Sequence, residues 1–222
     1  MTFSGLTPES VRKFYDRFGS LQDLQAVYED RALKTLTQHS SFENAESVLE
    51  LGCGTGRLAK RLFEEELGPD CHYRGLDISQ TMVYLARNRL LPWETRVDID
   101  RVDGTRGVAL PDRSIDRFLA TYVFDLLSPE AIQHVLHEAH RLLRDHGLLS
   151  VVSLTEGATL ASRGLTALWK AVWTRKPGLM GGCRPVLLAE HLDPRCWRIE
   201  SHQSLVAMGL LTSEWVVATP IR

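Results

Sequence analysis

Val48-Leu49-Glu50-Leu51-Gly52-Cys53-Gly54-Thr55-Gly56-Arg57-Leu58 is the stretch that decides the fold. Val48 to Leu51 reads as a short buried strand, stopped by glycine. Leu58, Leu62 and Phe63 open a helical pattern. Between strand and helix lies a Gly-x-Gly-x-Gly turn. Glycine takes positive φ and has no Cβ, so such a turn is tight and lets a ligand approach the backbone. The first N–H groups of the following helix lack intrahelical partners and point toward that space. Strand, glycine turn and helix together predict a nucleotide-type cradle.

Working outward, Arg57 to Glu66 predicts a helix closed by Gly68-Pro69. His72 to Leu76 reads as a second strand ending at Asp77. A carboxylate just past the second strand sits beside the cradle, in reach of both hydroxyls of a ribose, as in dinucleotide folds. Asp77 equally suits a cap for the segment Ile78-Ser79-Gln80, and the two roles are compatible. Ile78 and Met82 fall near it and suit the face of an adenine. Thr81 to Leu90 predicts a helix closed before Pro92. Arg96 to Val102 alternates as a third strand and ends in Asp103-Gly104-Thr105.

Arg117 to Ala120 reads as a fourth strand running on through Thr121-Tyr122-Val123-Phe124-Asp125. The carboxyl end of a strand is where an α/β sheet offers its crevice, so Thr121, Tyr122 and Val123 are candidates to line a site. Asp125 either touches a substrate or caps the next helix, although Ser128 ahead of Pro129-Glu130 serves as cap. Pro129 to Arg144 carries Ile132, Val135, Leu136, Ala139, Leu142 and Leu143 on one face. His134, His137 and His140 fall mostly off that face and read as solvated, so no metal is expected. Gly147 is read as the helix end and Leu148 to Leu154 as a buried fifth strand. Trp197 to Val206 and Glu214 to Thr219 predict two strands joined by a turn around Gly209.

At the other end, Thr7-Pro8-Glu9 reads as a helix start, followed by the stripe Val11, Phe14, Tyr15 and Phe18. A second helix spans Leu21 to Gln38, with Leu24, Val27, Tyr28, Leu33 and Leu36 as core positions. Thr155 to Leu188 is the least regular part. Leu165, Leu168, Trp169, Val172 and Trp173 form a stripe flanked by Arg163, Lys170, Arg175 and Lys176. It reads as a lid over a substrate pocket, as plain core, or as a helix lying on a membrane surface.

The chain has 222 residues, 44% hydrophobic, which suits one domain over 1–222 with a full core. Within it, 1–40 reads as a helical cover and 155–190 as a lid insertion. The formal net charge of −2 argues against nucleic acid as partner, because phosphate neutralisation needs a basic surface. Cys53, Cys71, Cys183 and Cys196 make no Cys-x-x-Cys pair, which points to reduced thiols and a cytoplasmic protein. No signal segment and no bilayer-length apolar run appears, so membrane contact is expected to be peripheral at most. The oligomeric state is not encoded in any recognisable pattern.

The 48–58 stretch resembles motif I of the class I S-adenosylmethionine (SAM)-dependent methyltransferases. Glu50, two residues before the first glycine, and the Gly-x-Gly-x-Gly spacing fit that family better than the dinucleotide pattern. The later motifs follow in order, including Leu110-Pro111-Asp112-Arg113-Ser114-Ile115-Asp116 as the turn into strand four. The similarity runs from about Phe14 to the C-terminus. It is closest to the branch of ubiquinone/menaquinone C-methyltransferases and phosphatidylethanolamine N-methyltransferases.

The resemblance implies a Rossmann-like α/β sandwich, a seven-stranded mostly parallel sheet ending in a reversed antiparallel hairpin. It implies SAM as cofactor, S-adenosylhomocysteine (SAH) as product, and N-terminal helices covering the site. Glu50, Gly52, Cys53, Gly54 and Gly56 belong to the implied cofactor site. So do Asp77, Ile78, Met82 and Thr121 to Val123. Asp103 and the backbone N–H groups of Gly104 and Thr105 are implied to read the adenine edge. Tyr15 matches a family tyrosine near the cofactor, although a core tyrosine with a bonded hydroxyl fits equally. Arg184-Pro185 matches a family pair. Arginine's fork suits an anionic substrate group, while a surface salt bridge is the plain alternative. Tyr15, Tyr122, Asp125, Trp169 and Arg184 form the implied substrate side.

The implied reaction is methyl transfer to a small-molecule acceptor, lipid-like or quinone-like, by in-line displacement. The leaving group is neutral, so no metal is required. Tyr15, Tyr122, Asp125, His191 and His202 are candidate bases, with nothing to choose between them. Two other functions share the cradle. A nicotinamide-dependent oxidoreductase would use Asp77, but Leu58 and Ala59 stand where its third glycine is expected. A non-catalytic SAM-binding module would keep the cofactor and lack the transfer.

Overall fold

The structure is a computed structural model and describes Glu9, Arg12, Asp16 and residues 26–103, 107–156, 183–207 and 211–222, with side chains from residue 29 onward in the first long segment. A seven-stranded sheet runs through these residues. Its strands are β1 Ser47–Leu51, β2 His72–Asp77, β3 Val97–Arg101, β4 Ile115–Thr121, β5 Leu143–Leu154, β6 Trp197–Ala207 and β7 Leu211–Pro220. The order across the sheet is β3-β2-β1-β4-β5-β7-β6. Strands β1 to β5 pair in parallel, while β7 pairs antiparallel with both β5 and β6. The chain thus reverses direction at β1, between β2 on one side and β4 on the other. Such a switch point opens a crevice at the strands' carboxyl ends.

The helices are α1 Ala26–Gln38, α2 Arg57–Glu65, α3 Gln80–Arg89, α4 Pro129–Leu142 and the short α5 Leu188–His191. Their apolar stripes explain the layers. Leu33 and Leu36 of α1, Leu58 and Leu62 of α2, and Val83 and Ala86 of α3 share one buried cluster with Trp215 and Val217 of β7. Ile132, Leu136, Ala139 and Leu142 of α4 share the other with Leu149, Val151, Val216 and Ala218. The alternation of strand side chains feeds both faces, giving a three-layer sandwich.

Helix starts follow the sequence signals. Ser128 accepts from Ala131 N at 3.2 Å, with Pro129 in the first turn. At α3 the cap is Ser79, which accepts from Met82 N at 3.2 Å, so Asp77 is left free of that duty.

Several boundaries differ from expectation; β7, expected from Glu214, begins at Leu211. The fourth strand stops at Thr121 and does not run to Asp125. Tyr122 takes a φ of 54°, and the chain turns into a 3-10 segment, Phe124–Leu126. Helix α4 ends at Leu142, and β5 begins at once with Leu143, where a strand had been expected only from Leu148. Leu143 pairs with Ile115 before a register shift, so the extra strand length buries Leu143 against β4. Gly147 lies inside this strand and does not close the helix. A Cβ there would meet Leu143 Cδ2 at 2.9 Å.

The first N-terminal helix, apart from Glu9, Arg12 and Asp16, and most of the 155–190 insertion lie outside the described residues. Among the described residues no helix is long and apolar enough to cross a membrane.

Candidate cofactor site

The loop between β1 and α2 is built on three left-handed glycines, Gly52 (φ 73°), Gly54 (φ 53°) and Gly56 (φ 73°). A Cβ on Gly52 would collide with the Val123 side chain, and one on Gly56 would meet Ala86 Cα at 3.1 Å. The loop is therefore wedged between the end of β4 and helix α3. Gly52 N and Cys53 N both donate to Leu76 O, at 2.7 and 3.1 Å. Gly54 N donates to Asp77 Oδ2 at 2.9 Å, and Ser79 N to Asp77 Oδ1 at 2.8 Å. Asp77 thus clasps the glycine loop from the next strand. Burial raises its pKa, and the backbone donors at Ser79 and Gly54 pull the other way.

Val102 N donates to Asp77 O at 2.9 Å, which brings Asp103, exposed, to the same end of the sheet. Ile78 is half-buried and Met82 fully buried. Gly104 and Thr105 lie outside the described residues, as do Tyr15 and Trp169.

Behind the loop, Glu50 is 1% exposed and accepts a hydrogen bond from the Tyr73 hydroxyl. Burial pushes the Glu50 carboxyl up to about 7; the Tyr73 bond opposes this and the Asp77 charge adds to it. The Cys53 thiol is also pushed up, by burial and then by the charges of Asp77 and Glu50. Gly75 leaves room for that thiol, since a Cβ there would lie 2.9 Å from Cys53 Sγ. Sequence reasoning missed Tyr73 and Gly75. The available signal was their place on β2, where Gly75 pairs with Glu50.

The other wall comes from β4 and β5. Thr121 is half-buried at the end of β4. Tyr122 donates its N–H to Val152 O at 2.7 Å, and its hydroxyl lies 3.0 Å from Ser213 Oγ. Burial pushes that phenol above its ordinary pKa. Asp125 is 1% exposed and accepts from Ser153 Oγ at 3.3 Å. Its carboxyl is raised to about 6, burial being the largest cause. Arg184 donates its backbone N–H to Asp125 O at 2.9 Å. Its Nε and Nη2 donate to Leu127 O at 3.2 and 2.8 Å.

Glu214 on β7, also buried, gathers Thr155 Oγ1 at 3.2 Å, Leu188 N at 2.8 Å and His202 Nε2 at 2.7 Å. His191 is half-buried, and burial followed by the Arg184 charge lowers its pKa. The structure therefore brings Glu50, the glycines, Asp77, Ile78, Asp103 and Thr121 to Val123 to one end of the sheet. Glu214 and Asp125 form a second, buried polar group on β7 and beyond β4.

Strand order and loop together define a Rossmann-like α/β domain with a reversed C-terminal hairpin. Residues 48–147 match the family model for a methyltransferase domain. Among curated proteins, a demethylmenaquinone methyltransferase of Listeria monocytogenes serotype 4a (strain HCC23) is 28% identical over 152 residues, 67% of this chain. The tRNA N(3)-methylcytidine methyltransferase Mettl2 of Drosophila melanogaster is 28% identical over 148 residues, 62% of this chain. The chain spans 60% of the length of the first and 45% of the second.

Among solved structures, the [4+2]-cyclase SpnF matches with TM-score 0.70 at 17% identity, over 99% of this chain and 98% of that one. The N-methyltransferase NodS of Bradyrhizobium japonicum WM9, in complex with SAH, matches with TM-score 0.71 at 13% identity, over 96% and 100%. The matched span runs from β1 through the glycine loop into β5 and is similar to methyltransferase domains.

Proposed function

We propose that the chain binds SAM at the carboxyl ends of β1, β2 and β4 and transfers its methyl group to a small-molecule acceptor. The observation that carries this reading is the junction at Gly54, where Asp77 holds a glycine loop open at the sheet's switch point. A carboxylate has about four acceptor positions, and backbone N–H groups take two of those of Asp77, leaving capacity for ribose hydroxyls. Asp103, with the backbone of Gly104 and Thr105, is assigned to the adenine edge, and Ile78 and Met82 to its face. Gly52, Cys53, Gly54 and Gly56 supply backbone without obstruction. Glu50 braces the loop from behind, and Thr121 to Val123 line the methyl side.

When bound, SAM supplies a methyl group on a sulfonium whose departure leaves a neutral thioether. The chain's residues bind, orient and exclude water around that centre. Orientation of this kind contributes roughly 7–11 kcal/mol in well-aligned systems. If the nucleophile carries a proton, Asp125, in the turn that follows Thr121 to Val123, is a candidate to take it. With a pKa of about 6 it is mostly ionised at neutral pH yet close to the working range of a general base.

The Listeria relative's name supports a quinone-like acceptor. The Drosophila relative's name points to RNA, but the formal net charge of −2 favours a small molecule. The nicotinamide alternative is set aside by the methyltransferase-domain match and the antiparallel β7.

A second reading, SAM binding without methyl transfer, is favoured by one observation: the [4+2]-cyclase SpnF shares this fold. Incubation with SAM and panels of quinol, phenol, amine and lipid-headgroup acceptors, followed by mass detection, separates the two. Acceptor-dependent SAH formation with a one-methyl mass gain is expected. SAM binding with no transfer across the panels would favour the module.

A further inference from the structure

Asp16 lies near the start of the chain, yet its hydrogen-bond partners Ser79 and Thr81 lie more than 60 residues away, just past Asp77. Its Oδ1 accepts from Ser79 Oγ at 2.6 Å and lies 3.5 Å from Thr81 N. Its backbone carbonyl accepts from Thr81 Oγ1 at 3.3 Å. Ser79 is the pivot of this contact. Its hydroxyl caps α3 by accepting from Met82 N, donates to Asp16, and its own N–H holds Asp77 Oδ1.

Two carboxylates are thus joined through one serine, one from the N-terminal segment and one assigned to the ribose. A negative group at the first turn of α3 is favoured by the helix dipole. Arg12 Nη1, 3.6 Å from Asp16 Oδ2, offsets the proximity of the two acids. A second tie lies nearby: Arg57, first residue of α2, pairs with Asp30 and Glu29 of α1. Asp16 and α1 are therefore tied to the first turns of both helices that flank the glycine loop.

We propose that Asp16 is a positioning residue of the cofactor site. By accepting from the Ser79 hydroxyl it holds in place the residue whose N–H binds Asp77, and so slows cofactor release. The inference rests on the SAM-binding reading above, and only the wild-type measurement bears on that reading. The probe is SAH, with affinity from calorimetry, release rate from stopped-flow displacement, and melting of the cofactor-free protein recorded alongside.

Asp16→Ala is expected to weaken SAH about tenfold, the scale of one lost charged hydrogen bond, mainly through faster release and with little change in melting. Asp16→Asn, whose amide oxygen still accepts from Ser79, is expected to restore most of the affinity. Thr81→Val removes one bond to the Asp16 backbone, leaves Asp77 and its donors in place, and should give a smaller change in the same direction. Wild-type release rates in Asp16→Ala and Thr81→Val would overturn the proposal. So would lowered melting with unchanged release, which would assign Asp16 a purely structural role. Absence of SAH binding to the wild type would instead overturn the SAM-binding reading.

Discussion

Asp77 accepts from the Gly54 and Ser79 N–H groups, and that double duty makes it the residue whose loss is easiest to foresee. Asp77→Ala removes the clasp on the loop and the acceptor proposed for ribose hydroxyls. Lost bonds of this kind cost about 1–3 kcal/mol, so calorimetry should show SAH binding weakened by about an order of magnitude or more; unchanged affinity would show the ribose assignment to be wrong.

Glu50 makes a different prediction. Its folded pKa, about 7, stands above the ordinary 4.5. Between those values the folded state keeps a proton that the unfolded chain releases. Stability should therefore fall as pH rises through this window, by up to about 1.4 kcal/mol per pH unit. Asp125, raised from 3.8 to about 6, adds a loss of the same sign. Glu50→Gln keeps an acceptor for Tyr73 and removes the titration. Melting curves from pH 4.5 to 7 should fall less steeply for the variant than for wild type, and parallel curves would contradict the account. At this scale Asp77 was legible in the sequence, because it follows a strand at the spacing a nucleotide site needs. The Tyr73 bond to Glu50 was not, because it depends on which strands become neighbours.

Among the elements, β4 and its contacts show what lies outside local pattern. The helix and strand periods placed the seven strands and helices α1 to α4 but not the short α5, and several ends moved, two of them around β4 and β5. Tyr122 ends β4 by a left-handed turn that no glycine announces. Leu143 leaves α4 for β5 because Ile115 is there to pair with it. Arg117 is equally hidden in sequence. It reads as a charged residue in an apolar strand, yet it is 5% exposed. Its Nε donates to Ser40 O and its Nη2 to Ser41 O, each at 2.6 Å, and its Nη1 to Asp116 O at 2.9 Å. The fork pins the turn after α1 to the middle of the sheet. Arg117→Ala leaves those carbonyls without a donor and should destabilise the fold by about 3 kcal/mol, measured by urea unfolding. A change below about 0.5 kcal/mol, the range of ordinary surface substitutions, would show that the turn holds without it.

For the molecule as a whole, the seven-stranded, mostly parallel sheet and the reversed hairpin were expected from the resemblance and are present. The cradle could be read from eleven residues because its chemistry is local: a strand, three glycines and a helix start. The acceptor side was less legible. Two residues named for it, Tyr15 and Trp169, lie outside the described residues, and the buried bonds of Asp125 and Tyr122 join β4 to β5 and β7 across long sequence separations. The central claim is that this sheet's switch point holds an adenosyl cofactor. Isothermal calorimetry of the wild-type chain with SAM and SAH, beside NADH, tests it most directly. Saturable micromolar binding of both adenosyl ligands, with none for NADH, is the predicted result. NADH binding, or no binding of SAM or SAH by a protein that melts cooperatively, would contradict it.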